Sequence, residues 1–155
     1  MSDEAKQYGP ETSAIRAGHA PDPATNALAV PIYQTVAFEF DDAQHAQDLF
    51  ALSEPGNIYS RIMNPTWNVL EERLAELQGG IASLVVASGQ AAVLYSVLNV
   101  TRAGDNIIST STIYGGTYNL FAHTLPQYGI EVRFADPDNP GSVEELTDEN
   151  TRIVF

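Results

Sequence analysis

The chain has no cysteine, so it can form no disulfide, offers no thiolate to a metal and has no thiol nucleophile. Cations are scarce too: seven Lys and Arg stand against twenty Asp and Glu, a formal charge of −13. That balance repels polyanions and disfavours nucleic acid and anionic membranes as partners. Lys6 is the only lysine. No apolar run is long enough to span a bilayer, and the first residues, MSDEAKQYG, are too polar for a secretory leader, which leads to the expectation of a cytoplasmic protein. There is no G-x-G-x-x-G, no Walker lysine and no G-x-S-x-G. His19, His45 and His123 are too far apart in sequence to suggest a metal site, and none is expected.

What is present is a change of texture near residue 60. Before it, Pro10, Pro21, Pro23, Pro31 and Pro55 interrupt short apolar pieces, and only Ala43 to Leu52 reads as a helix, capped by Asp41 or Asp42. So long an irregular stretch suits an arm lying over another subunit. After it, Asn64-Pro65 predicts a helix start, Trp67, Leu70, Leu74 and Leu77 give it an apolar face, and Gly79-Gly80 ends it. A strand is expected at 82–87, a helix from 89 or 90 to 101 with Val93, Val97 and Val100 on one side, a strand at 106–110 and a helix at 115–125. Strands at 130–135 and 151–155 follow, flanking a short helix with a capping box from Ser142 and Glu145. This alternation predicts an α/β fold with a mostly parallel sheet. The division expected is 1–60 as arm and 61–155 as the first part of an α/β domain.

Three stretches carry candidate chemistry. Ser88-Gly89-Gln90 joins a strand-like run to a helix, where free amides and the helix dipole favour an anion such as phosphate; close helix–strand packing explains the same residues. Tyr59-Ser60-Arg61 offers a hydroxyl and a planar, permanent cation, suited to an anion with several oxygens or equally to a surface loop. Ile113-Tyr114-Gly115-Gly116-Thr117 follows the strand at 106–110, and ligands of parallel sheets lie beyond the carboxyl ends of strands. Tyr114 could stack on a flat ligand or cover the core. Asp136 and Asp138 sit among proline and asparagine and read as a solvated turn.

Taken together, NALAVPIYQTVAFEF, GNIYSRIMNPTWNVLEERLAELQGG, ASGQAA and IYGGTYNLF resemble, in order and spacing from about Ser13 to Phe155, the N-terminal third of the pyridoxal-phosphate (PLP) enzymes of cysteine and methionine metabolism, in their O-acetylhomoserine sulfhydrylase branch. The resemblance implies an N-terminal arm followed by the first part of the large PLP-binding domain of a fold-type I (aspartate aminotransferase-like) enzyme. It implies that Ser88, Gly89 and Gln90 hold the cofactor phosphate, and that Tyr114 stacks on the pyridine ring and assists departure of the γ-leaving group. Tyr59 and Arg61 would reach the cofactor of a neighbouring subunit in a homodimer, usually paired into a homotetramer. Gln90, where many relatives carry methionine, and Gly116, where methionine-degrading lyases often carry cysteine, both favour the sulfhydrylase branch.

The implied reaction makes homocysteine or methionine, with acetate, from O-acetylhomoserine and sulfide or a thiol. The alternatives are a γ-lyase or cystathionine γ-synthase, or a non-catalytic phosphate-binding or interaction module. The resemblance further implies that the Schiff-base lysine and the aspartate facing the pyridine nitrogen lie beyond Phe155, since Lys6 sits in an acidic tail, and that the chain alone is inactive.

Overall fold

A computed structural model describes residues 8–155, and Lys6 lies outside them. The chain divides into two compact units at Val85/Val86.

The first unit is built on a helix over Pro65–Gln78 (α3; the helices Pro10–Arg16 and Ala43–Phe50 are α1 and α2). Its ends follow the sequence signals. Asn64 is the N-cap, its side chain accepting from the Thr66 amide, Pro65 opens the helix, and Gly79 ends it at φ +65°. The apolar stripe behaves differently: Leu70, Leu74 and Leu77 are exposed, and Ala75 is the helix's buried residue. The helix instead gathers the chain before it through polar contacts. Ser13 Oγ donates to Glu76 Oε1 at 2.7 Å and Arg73 Nε to the Ala17 carbonyl at 3.0 Å. At Gly18, φ +70°, a Cβ would stand 2.8 Å from Glu72 Cβ and from the Val69 carbonyl oxygen, so only glycine lets the end of α1 lie on α3. Helix α1 is therefore an addition to the sequence reading, which finds no helix before residue 43. Helix α2 agrees with it, capped by Asp42.

The strand expected at 82–87 does not form. Among the described residues they pair with no strand; Glu71 of α3 accepts from the Val85 amide at 2.8 Å through its side chain and from Ser83 Oγ through its carbonyl. The run is apolar without being a buried strand, and Leu84 is exposed.

The second unit is the α/β part. Asn106–Thr110 (β1), Glu131–Ala135 (β2) and Thr151–Val154 (β3) form a parallel sheet in the order β2-β1-β3. Central β1 is buried on both faces, as a covered parallel strand must be. Gly89–Val100 (α4) packs Val97 against Ile107, Phe121, Leu125 and Ile130, with Val93 and Leu94 at the margin. Val100, expected on the same face, is exposed. The helix expected at 115–125 is three pieces: an α-turn at Gly115–Asn119 (α5), a π-turn at Leu120–Thr124 and a 3₁₀ turn at Leu125–Tyr128. In the short helix Gly141–Leu146 (α6) no side chain caps the start; Ser142 Oγ instead donates to the Asn139 carbonyl and accepts from the Asp136 amide, so the capping box is not made.

One polar cluster ties the three strands. Asn106, 2% exposed, donates to Asp148 Oδ1 at 2.7 Å and accepts from Thr151 Oγ1 at 2.7 Å. Arg133 meets Asp148 Oδ2 at 2.7 Å, the Leu146 carbonyl at 2.8 Å and both oxygens of Glu131. The Arg133 guanidinium, then the Asn106 amide and the Asn150 backbone N–H, lower the Asp148 pKa from 3.8 to about 2. A depressed carboxylate contributes stability that is complete above its unfolded value and is lost as pH falls through the folded one. Acid unfolding should therefore have a component between about pH 4 and 2 that Asp148→Asn removes, measurable by circular dichroism. An unchanged acid limb in the variant would contradict this assignment.

Candidate functional site

Ser88 is the N-cap of α4, its Oγ accepting from the Ala91 amide at 3.1 Å. The Gly89 and Gln90 amides, in the first helical turn, have no intrahelical acceptor, and among the described residues neither donates to a protein group. The Ser88 hydroxyl hydrogen remains free to donate. Three donors thus meet at the positive end of a twelve-residue helix. They open on a cavity of about 450 Å³ lined by Ser88, Gly89, Gln90, Val93, Tyr114 and Thr117. A Cβ built on Gly89 would have nothing within 4 Å, so the backbone faces open space rather than a packed neighbour. Of the two readings the sequence leaves open at this turn, close helix–strand packing finds no support at Gly89.

Tyr114 enters the same cavity from the other side. It precedes α5, after the carboxyl end of β1, and is 75% exposed. Core covering is therefore not its role here, since covered side chains lose most of their accessible area. Its carbonyl accepts from the Tyr118 amide at 2.9 Å, which fixes the backbone while leaving the ring at the opening. Thr117, 5% exposed, donates to Gln90 Oε1 at 3.2 Å and ties the two walls together. Thr117 stands inside the motif with no local signal of a role; only the contact across 27 positions reveals one.

Tyr59 and Arg61 belong to the first unit. The Arg61 guanidinium carbon lies 5.6 Å from the centroid of the Tyr59 ring, a cation–π arrangement. Among the described residues Arg61 takes part in no ion pair with a carboxylate. The loop carrying both is fixed from below. Ser60 N donates to the Val36 carbonyl at 2.8 Å and Ser60 Oγ to the Thr35 carbonyl. Buried Asn64 donates to the Tyr33 carbonyl and to Ser60 Oγ, and Thr66 Oγ1 donates to the Pro31 carbonyl. These bonds tie residues 31–37 to 58–66, which is why the compact unit runs past residue 60.

His45 Nδ1 accepts from the Asp41 amide, and Asp136 and Asp138 form an exposed turn in which Asp136 Oδ1 accepts from the Asp138 amide. Among the described residues no three His, Asp or Glu gather as metal ligands, and no helix is long and apolar enough to cross a membrane.

The donor set fits a phosphate-bearing, flat molecule: amides and a hydroxyl for the anion, and a phenol ring beside them at the opening. Comparison with known proteins gives the same chemistry. The model of the Cys/Met metabolism PLP-dependent enzymes matches residues 11–155. An O-acetyl-L-homoserine sulfhydrylase from Leptospira meyeri is 47% identical over 97% of the chain, and one from Thermus thermophilus is 52% identical over 92%. A homocysteine/cysteine synthase from Saccharomyces cerevisiae is 49% identical over 86%. The chain spans about a third of the length of these curated relatives: 34%, 34% and 30%. Among solved structures, an O-acetylhomoserine (thiol)-lyase from Campylobacter jejuni, described with a pyridoxyl-lysine phosphate at its position 205, superposes with a TM-score of 0.90 at 42% identity, over 96% of this chain and 36% of its own. The metB product of Corynebacterium glutamicum superposes at 0.84 with 28% identity, over 96% of this chain and 37% of its own. The parallel α/β unit is therefore part of a fold-type I architecture, and the chain belongs to the Cys/Met metabolism PLP-dependent enzyme family.

Proposed function

We propose that this chain is the N-terminal part of a PLP-dependent O-acetylhomoserine sulfhydrylase, which makes homocysteine, or methionine, and acetate from O-acetylhomoserine and sulfide, or a thiol. The observation that carries the proposal is the cavity in which the unpaired amides of Gly89 and Gln90 face the exposed ring of Tyr114. The names of the relatives at 47% and 52% identity support the sulfhydrylase branch.

When bound, PLP supplies the electron sink that lets protons leave the carbons of an amino acid. This chain's residues do the rest of what it contributes. Gly89 and Gln90 hold the phosphate by their amides, and Ser88 donates its hydroxyl while still capping α4. Tyr114 stacks its ring on the pyridine and places a phenol O–H, both donor and acceptor, where acetate departs from Cγ. Arg61 and Tyr59 extend to the phosphate of a neighbouring subunit in a homodimer, paired into a homotetramer. The arm of residues 1–60 carries Tyr59 close to its end, and Arg61 follows directly after it. The cofactor-bearing lysine lies beyond Phe155; the relative from Campylobacter jejuni carries its pyridoxyl-lysine at a position numbered 205. We place the protein in the cytoplasm.

The test has two arms. The whole protein, with PLP, should form homocysteine from O-acetylhomoserine and sulfide in preference to releasing ketoacid from methionine or cystathionine. Preferred ketoacid release would move it to the lyases. The 155-residue chain alone, reduced with borohydride in the presence of PLP, should show no pyridoxyl-lysine by peptide mass. A stoichiometric adduct on Lys6 together with turnover would defeat the division of the site proposed here.

A further inference from the structure

We infer that the Gln90 side chain is a positioning residue for the Tyr114 ring, and that Gly116 is glycine because both pack against its bare α-carbon. The inference rests on the cavity being the cofactor site, but its physical content is independent of any ligand. A Cβ placed on Gly116 would stand 2.7 Å from Gln90 Nε2 and 2.7 Å from Tyr114 Cε1, closer than real Cβ contacts come. The carboxamide and the edge of the ring thus converge on one point. Neighbouring Gly115 has nothing within 4 Å of the same construction, so the crowding is particular to residue 116. Nor is the backbone the reason for this glycine, because Gly116 does not have a positive φ.

The carboxamide has one hydrogen bond to orient it. Its Oε1 accepts from the Thr117 hydroxyl at 3.2 Å, and Thr117 is buried at the foot of the cavity wall. That bond aims Nε2 at residue 116 and makes the amide a stop for an aromatic ring that is otherwise 75% exposed. Residues 90 and 116 consequently act as one unit. A side chain at 116 requires the amide, the ring or both to shift, and a different side chain at 90 leaves the ring without its stop. The two positions that separately favour the sulfhydrylase branch in the sequence are a single contact.

The test follows the Tyr114 ring by NMR in the chain carrying ¹³C-labelled tyrosine, the ring resonance being assigned with Tyr114→Phe. Gly116→Ala and Gln90→Ala should each displace the Tyr114 resonance, and the double variant should depart from the sum of the two displacements. Thr117→Val should displace it through the lost hydrogen bond, whereas Thr117→Ser, which keeps the hydroxyl, should restore it. If Thr117→Val fails to fold, Gln90→Met provides the same reading, since it keeps the chain length and loses the amide. Additive displacements, or a Tyr114 resonance indifferent to residue 90, would overturn the inference. Titrating the unaltered chain with inorganic phosphate, followed at the Gly89 and Gln90 amides, reports separately on the cofactor reading. Absent phosphate shifts with a non-additive cycle would remove that reading and leave the contact standing.

Discussion

Tyr114→Phe is expected to lower turnover of the whole enzyme by about 10²–10⁴-fold, the range over which a positioned proton donor acts. The variant should keep its thermal midpoint and its cofactor. The ring is exposed and packs its edge against Gly116, a contact phenylalanine retains. Among the described residues the phenol oxygen has no hydrogen-bond partner, so its loss orphans nothing in the fold. What disappears is a phenol O–H at the cavity opening, able to give or take a proton. Steady-state kinetics with O-acetylhomoserine and sulfide provide the measurement, alongside the absorbance of bound cofactor. Turnover within threefold of the parent would remove the part proposed for Tyr114 in leaving-group departure.

Gly89→Asp should weaken binding of PLP by two to three orders of magnitude, while the folded chain becomes no less stable. The opposed signs come from one location. Like charges brought together cost several kcal/mol, and each 1.4 kcal/mol is about tenfold in affinity. A carboxylate on residue 89 would enter the space proposed for the phosphate, because a Cβ there meets no protein atom within 4 Å. Yet residue 89 is the first position of α4, where a negative charge is favoured by the helix dipole by about 0.3–1 kcal/mol. Calorimetric melting should show an equal or raised midpoint, and a spectrophotometric titration should show lost affinity. A variant that binds PLP as the parent does would place the phosphate elsewhere.

Local signals are legible in the sequence. Asn64, Pro65 and Gly79 determine where α3 begins and ends through bonds to residues a few places away, and Asp42 does the same for α2. The signals that misled concern partners far along the chain. Leu84 to Val86 have the composition of a buried strand, but a strand is defined by its neighbour, and here the Val85 amide goes to the Glu71 side chain. Helix α1 has no side-chain cap and owes its place to Ser13 and Ala17 meeting α3, 63 and 56 positions on. Ser142 and Glu145 have the spacing of a capping box, but Ser142 spends its hydroxyl on Asp136 and Asn139. At the site, the start of α4 at Ser88 is legible as a local cap, although no strand precedes it, and the position of Tyr114 is legible as a local junction between β1 and α5. Thr117 and the crowding at Gly116 are not, because they arise only when α4 and α5 come together.

The π-turn at Leu120–Thr124 has its own consequence for how the chain tolerates insertion and deletion. Its closing bond runs from the Leu125 amide to the Leu120 carbonyl, five residues back instead of four. The turn thus holds one residue more than an α-helical turn would, and the surplus is taken up locally. Phe121 within it and Leu125 just after it both remain fully buried in the sheet's core. Losing one residue between them would give the segment an ordinary helical turn, whereas losing one from α5 would rotate Thr117 away from Gln90. Length changes during divergence should therefore accumulate at 120–124 and spare 115–119, although both stretches belong to the same nominal helix.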